Sequence, residues 1–213
     1  MIATLRVKVD AWGNGQVIPD KYAFCIPAKE NHVTLGENKS PVIRWSEAPM
    51  QTASYAIICH DPDVPTVLAD VNNETRKIPA NQPRMTFYHW VLVDIPATLD
   101  HLEEGIESDG IQAGGKQPGK KTHGTQGINN YTDWFANDVN MKGNYGGYDG
   151  PCPPWNDERI HHYHFTVYAL DVKNLGLKGD FTGPDVEKAM AGHILAKGEW
   201  VGTYTLNPAL RSK

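Results

Sequence analysis

The chain has 213 residues, 40% hydrophobic and 21% charged, enough to bury a sizeable core without help from a metal or a disulfide. Its 20 Lys and Arg against 25 Asp and Glu give a formal net charge of -5, which excludes the basic surplus that nucleic-acid phosphates demand. No apolar run approaches the roughly 18 residues of a membrane span.

Taken in chain order, the first ten residues lack the apolar stretch of an export signal. The three cysteines, Cys25, Cys59 and Cys152, are odd in number and without CxxC spacing. They read as reduced thiols, with Cys25 and Cys59 as small buried hydrophobes, and together these features predict a cytoplasmic protein. Segments rich in β-branched and aromatic residues predict strands over 5–9, 42–46, 54–60, 87–95, 162–170 and 199–206. Two of them, 55–60 and 89–94, are almost continuously apolar and read as central strands covered on both faces. Residues 66–88 and 105–148 read as long loops. One helix is predicted, with Thr182 as cap, Pro184 and Asp185 in its first turn, and Val186, Ala189, Met190, His193 and Ile194 at helical spacing. With 20 Gly and 15 Pro, the expected fold is all-β dominated, a β-sandwich with a few peripheral helices in a single domain spanning 1–213.

Three stretches carry candidate chemistry. His60-Asp61-Pro62-Asp63-Val64-Pro65 follows a buried strand and reads as a stiff corner, because each ring fixes φ and each Asp can bond nearby N–H groups. Gly146 to Pro154 runs glycines into prolines, so the amides of Gly150 and Cys152 are the candidates for a small anion nest; a plain loop would look the same. In the strand that begins near His161, period-2 alternation puts His161, Tyr163 and Phe165 on one face and His162 and His164 on the other. A zinc site lacks a third ligand at a recognisable spacing. There is no nucleophile elbow, no His-Glu-x-x-His and no dinucleotide fingerprint, and the glycine-rich tract 110–121 misses the phosphate-binding P-loop pattern.

In this order the pieces resemble the phosphatidylethanolamine-binding protein family, specifically its bacterial Raf-kinase-inhibitor-like branch. The motifs are Ser40-Pro41 with Trp45-Ser46, Ser54-Tyr55, Asp61-Pro-Asp-Val-Pro65, His89-Trp90-Val91, Gly146-Gly147 with Gly150-Pro-Cys-Pro-Pro154, and His161-His-Tyr163 leading into Phe165-Thr-Val-Tyr-Ala-Leu170. Ala191-Gly-His-Ile-Leu-Ala196 and Val201-Gly-Thr-Tyr204 complete the match. The resemblance implies a pocket at one end of the sandwich built from Asp61, Asp63, Val64, Pro65, His89, Gly150, Pro151, Cys152, His161 and Tyr163. It implies a non-catalytic binder of a small anion, phosphate or a phosphoethanolamine-like headgroup, with no cofactor. A protein partner such as a kinase and a homodimer are further implications. The sequence departs from the family in His162, where an arginine is usual, and in the length of its two long loops. For the anion we expect Asp61 to charge a histidine, His161 or His89 to donate to the ligand, and Gly150 and Cys152 to add backbone N–H bonds. Two alternatives stay open: a weak phosphoester hydrolase using the Asp and His groups, and an interaction module that acts without the pocket.

Overall fold

The computed structural model describes residues 2–211. Its strands are β1 (Ala3–Thr4), β2 (Arg6–Val9), β3 (Gln16–Val17), β4 (Cys25–Pro27), β5 (Val33–Leu35), β6 (Ile43–Ser46), β7 (Ser54–Pro65), β8 (Arg84–Pro96), β9 (His101–Leu102), β10 (Gly119–Lys121), β11 (Gly124–Gln126), β12 (His161–Leu170) and β13 (Ile194–Tyr204). The helices are α1 (Tyr131–Trp134), α2 (Gly183–Met190) and α3 (Pro208–Arg211).

Alternation along β2, with Val7 and Val9 buried and Arg6 and Lys8 exposed, gives a small sheet one apolar face. That sheet, ordered β2-β6-β9, packs Val7, Val9, Ile43, Trp45 and Leu102 against Ile57, Cys59, Trp90, Leu92, Phe165 and Val167 of the main sheet. The main sheet runs β1-β13-β12-β7-β8-β11-β10, with β3 also pairing β13, and is antiparallel except where β1 and β3 meet β13. Its other face buries Ala56, Ile58, Val91 and Val93 against Phe181 and against Val186 and Met190 of α2. The near-continuous apolar sequences of β7 and β8 therefore answer to two covered faces. The expected sandwich with few helices is the observed architecture, a large mixed sheet with smaller sheets beside it.

The structure corrects several expectations. The stretch from Asp61 to Pro65 is no corner: it continues β7, pairing with β8 through register shifts. The helix ends at Met190 rather than reaching Ile194, because Gly192 takes a left-handed φ of 88° and Ile194 begins β13, pairing with Leu170. Its start is as expected, with the Thr182 N–H and hydroxyl both donating to the Asp185 carboxylate at 2.8 Å. The 105–148 segment holds the β10-β11 hairpin, which extends the main sheet beyond β8.

The cysteines are corrected as well. Cys25 and Cys152 form a disulfide across 127 residues, and only Cys59 is a free, buried thiol. Spacing could not reveal it, since the partners meet only through tertiary folding. Closing so long a loop stabilises the fold by about 5 kcal/mol in the chain-entropy view. A cytoplasmic location inferred from three reduced thiols loses that support, because such bonds persist mainly in oxidising compartments. Among the described residues no helix is long and apolar enough to cross a membrane.

Candidate functional site

Strand irregularities build the floor of a cavity. Cys59 pairs with Trp90 but His60 pairs with Tyr88, leaving His89 as the extra residue of a bulge on β8. A second register shift separates Asp61 from Val64 on β7. Bulges re-aim side chains, and here both His89 and Asp61 line one cavity of about 240 Å³. From β12, period-2 alternation sends His161 and Tyr163 inward to the same cavity and His162 outward.

The walls are apolar. Phe24, Cys25, Val33 and Leu35 face the cavity from the β4-β5 side, Val64, Pro65, Leu68 and Val71 from β7 and the loop after it, and Phe87, Tyr131, Trp134 and Phe135 from β8 and α1. Cys152, Pro153 and Pro154 close the remaining side.

His161 is fully buried between two carboxylates. Nδ1 lies 2.6 Å from Asp61 Oδ2 and Nε2 lies 3.1 Å from Asp157 Oδ2. Burial disfavours its charge, but Asp61 and Asp157 outweigh that and raise its pKa to about 9. Asp157 in turn is gripped by both terminal nitrogens of Arg84. Burial pushes the Asp157 carboxyl up, yet the bonds from His161 and Arg84 bring it below the ordinary aspartate value.

His89 is the opposite case. Its Nδ1 sits 2.7 Å from the Asp149 carbonyl oxygen; a carbonyl only accepts, so Nδ1 carries the proton. Burial drives its pKa down to about 4 against the opposing charge of Asp61, and the ring is neutral at physiological pH. The Asp149 side chain behind it is held by Asn38, Lys116 and Asn129 at 2.6–2.8 Å. Burial pushes the Asp149 carboxyl upward. Tyr163 packs edge-on against His89, with ring centroids 5.1 Å apart, and burial keeps its hydroxyl protonated.

Of the ten residues expected at the site, Asp61, Val64, Pro65, His89, Cys152, His161 and Tyr163 line the cavity, while Asp63, Gly150 and Pro151 do not. Asp63 turns to Arg159 Nη1 at 3.0 Å and to His162, whose Nδ1 is 2.8 Å away. The Gly150 N–H donates to Asn38 Oδ1 at 2.8 Å, so the anion nest expected of this amide is already filled by the protein. A side chain at Gly150 would stand 2.0 Å from the Tyr22 carbonyl. The Pro151 carbonyl accepts from the amides of Phe24 and Cys25 at 2.9 and 3.0 Å. The Gly-Pro turn is thus a strap that, with the disulfide, fastens β4 to the cavity. Donation from His161 to a ligand is corrected too, since both its nitrogens are committed to carboxylates.

The sequence reading missed Asp157, Arg84, Asp149 and the aromatic wall. Asp157 lies four residues before His161 in a polar loop, a weak clue. Phe24, Phe87, Tyr131, Trp134 and Phe135 come from segments scattered along the chain, and no periodicity joins them. No group of three His, Cys, Asp or Glu among the described residues is placed to hold a metal ion.

Comparison with known proteins agrees with this architecture. The family model described as phosphatidylethanolamine-binding protein matches residues 8–205. A UPF0098 protein of Methanothermobacter thermautotrophicus is 31% identical over 200 residues, covering 94% of this chain and 98% of that protein. One from Pyrococcus abyssi is 33% identical, covering 93% of this chain and 84% of its own length. The crystal structure of Escherichia coli YbcL, described as a member of the mammalian PEBP family, superposes with a TM-score of 0.67 at 25% identity, covering 95% of this chain and 99% of that one. A motif set spread from Ser40 to Tyr204, a matching fold and a family model over nearly the full length agree: the chain belongs to the phosphatidylethanolamine-binding protein family.

Proposed function

We propose that the chain is a non-catalytic binding protein that holds a small ligand in this cavity. One observation carries the reading: a buried polar floor of Asp61, His89 and Tyr163 lies beneath an apolar sleeve. Concave apolar pockets with a few convergent polar groups are where small molecules bind, and about 240 Å³ falls below the roughly 300–1,000 Å³ of drug-sized sites. Two observations weigh against the hydrolase alternative. Asp61, His161 and Asp157 are committed to one another, and Cys152, the nucleophile weighed for that chemistry, is oxidised in the disulfide.

Phosphate or a phosphoethanolamine-like headgroup remains the ligand that family membership suggests. Its route differs from the expected one: the donor at hand is the Tyr163 hydroxyl, and an anion settling there brings a proton or places one on His89. The test is an NMR titration of His89 and Tyr163 with phosphate, phosphoethanolamine and small apolar molecules. At least one class shifts both residues; silence to every class would overturn the reading. The interaction-module reading rests on a separate observation, that Leu35, Leu68 and Trp134 at the cavity are 57%, 50% and 45% exposed. If that rim receives a kinase or a second copy, Trp134→Lys abolishes association in sedimentation, whereas Tyr163→Phe at the cavity floor leaves association intact.

A further inference from the structure

The chemistry of the floor restricts what can occupy it, an inference that rests on the binding reading above. Asp61 Oδ1 accepts from the Asp63 N–H at 2.7 Å and Oδ2 from His161 at 2.6 Å, so each oxygen keeps one lone pair. His89 uses Nδ1 on the Asp149 carbonyl, with the Gly150 carbonyl also close to the ring, and Nε2 of the neutral ring is a bare acceptor. Tyr163 lines the same floor, and its buried, protonated hydroxyl can donate to a ligand oxygen. The cationic groups are already balanced. His161 stands between Asp61 and Asp157, Arg84 is bound to Asp157, and Lys116 is bound to Asp149. The floor therefore offers two acceptors and one donor with no spare positive charge.

A fully ionised anion would meet two acceptors there and lose its hydration without a cation to replace it. A hydroxyl fits: its O–H donates to Asp61 or to His89 Nε2, and its oxygen accepts from Tyr163. The rest of the ligand would lie against the rings of Phe24, Phe87, Tyr131, Trp134 and Phe135. We propose that this cavity selects small apolar molecules with an uncharged hydroxyl head, phenols and related alcohols, and admits a phosphate-type anion only together with a proton.

Three probes separate the possibilities: p-cresol, its hydroxyl-free counterpart toluene, and sulfate, an anion that carries no proton at neutral pH. Calorimetry and NMR of His89 and Tyr163 are run at pH 6 and pH 8. The expected result is that p-cresol binds about tenfold more tightly than toluene and equally at both pH values, while sulfate leaves the floor unshifted. Tyr163→Phe keeps the ring, weakens p-cresol about tenfold and leaves toluene unchanged, toluene binding also reporting that the variant is folded. Sulfate binding at pH 8 as tightly as p-cresol, or p-cresol no tighter than toluene, overturns the hydroxyl proposal while the cavity stands as a binding site. If none of the three shifts His89 or Tyr163, both readings fall.

Discussion

Two buried imidazoles share one cavity floor and end in opposite charge states. His161, on β12, is 0% exposed and held as a cation near pKa 9; His89, on the β8 bulge, is 3% exposed and held neutral near pKa 4. Burial lowers both, so desolvation cannot explain the difference. Partners do. Two carboxylates oppose the effect of burial at His161, whereas His89 meets a carbonyl dipole and feels Asp61 only at a distance. The lesson is that a histidine beside an aspartate in a cavity need not be the group with an N–H left to offer. The better its charge is compensated, the fewer N–H bonds it has left to offer.

The largest effect expected from breaking this comparison is at Asp61. Asp61→Asn leaves His161 with one carboxylate in a dry interior, and destabilisation by about 3–5 kcal/mol is expected in urea unfolding at pH 7. The His161 resonance should then titrate well below 9; an unchanged titration would show that Asp157 alone suffices.

Next in size is the pH dependence, where the two residues act on opposite sides. The folded pKa of His161 is raised, so its contribution is fully present below the ordinary value of 6.5 and is lost as pH rises through about 9. The folded pKa of His89 is lowered, so its neutral form contributes fully above 6.5, a contribution lost as pH falls toward about 4. Each limb spans roughly 3 kcal/mol, placing the optimum from this pair near pH 6.5. Unfolding measured at pH 4.5, 6.5 and 9 checks it, and a flat profile would sink the assignment of charge states.

A smaller change is expected one step further out. Arg84→Gln removes the two-nitrogen grip on Asp157 and with it a positive charge beside the imidazolium, so the His161 pKa should rise, by no more than about one unit, read by NMR titration. Smallest is Arg159→Ala. Its partner Asp63 lies outside the cavity and keeps two bonds from His162, so the loss should stay within about 1 kcal/mol and leave ligand affinity unaltered. A large loss of affinity would mean that Asp63 belongs to the site after all.

Much of this could be read from residues alone. The apolar runs of β7 and β8 announced central strands because a strand covered on both faces has no polar side to show. Alternation after His161 placed it and Tyr163 on one face, and the structure puts both in one cavity. The Thr182 cap was legible because capping is a local exchange of hydrogen bonds. Other features were not legible, for a common reason. Whether Asp61 to Pro65 turned or ran on as strand depended on β8 being available as a partner. The Gly150 amide looked free until Asn38, far away in sequence, reached it.

Sequence by itself determined the alternation, the caps, the acidic and imidazole groups available and the family to which they belong, since each is set by neighbours along the chain. Tertiary structure decided which of those groups remain uncommitted. The bulge at His89, the Cys25–Cys152 bond and the pairing of His161 with both Asp61 and Asp157 join residues that only folding brings together. In a low-dielectric interior it is those partners, rather than residue type, that fix protonation and leave a lone pair or an O–H facing the cavity.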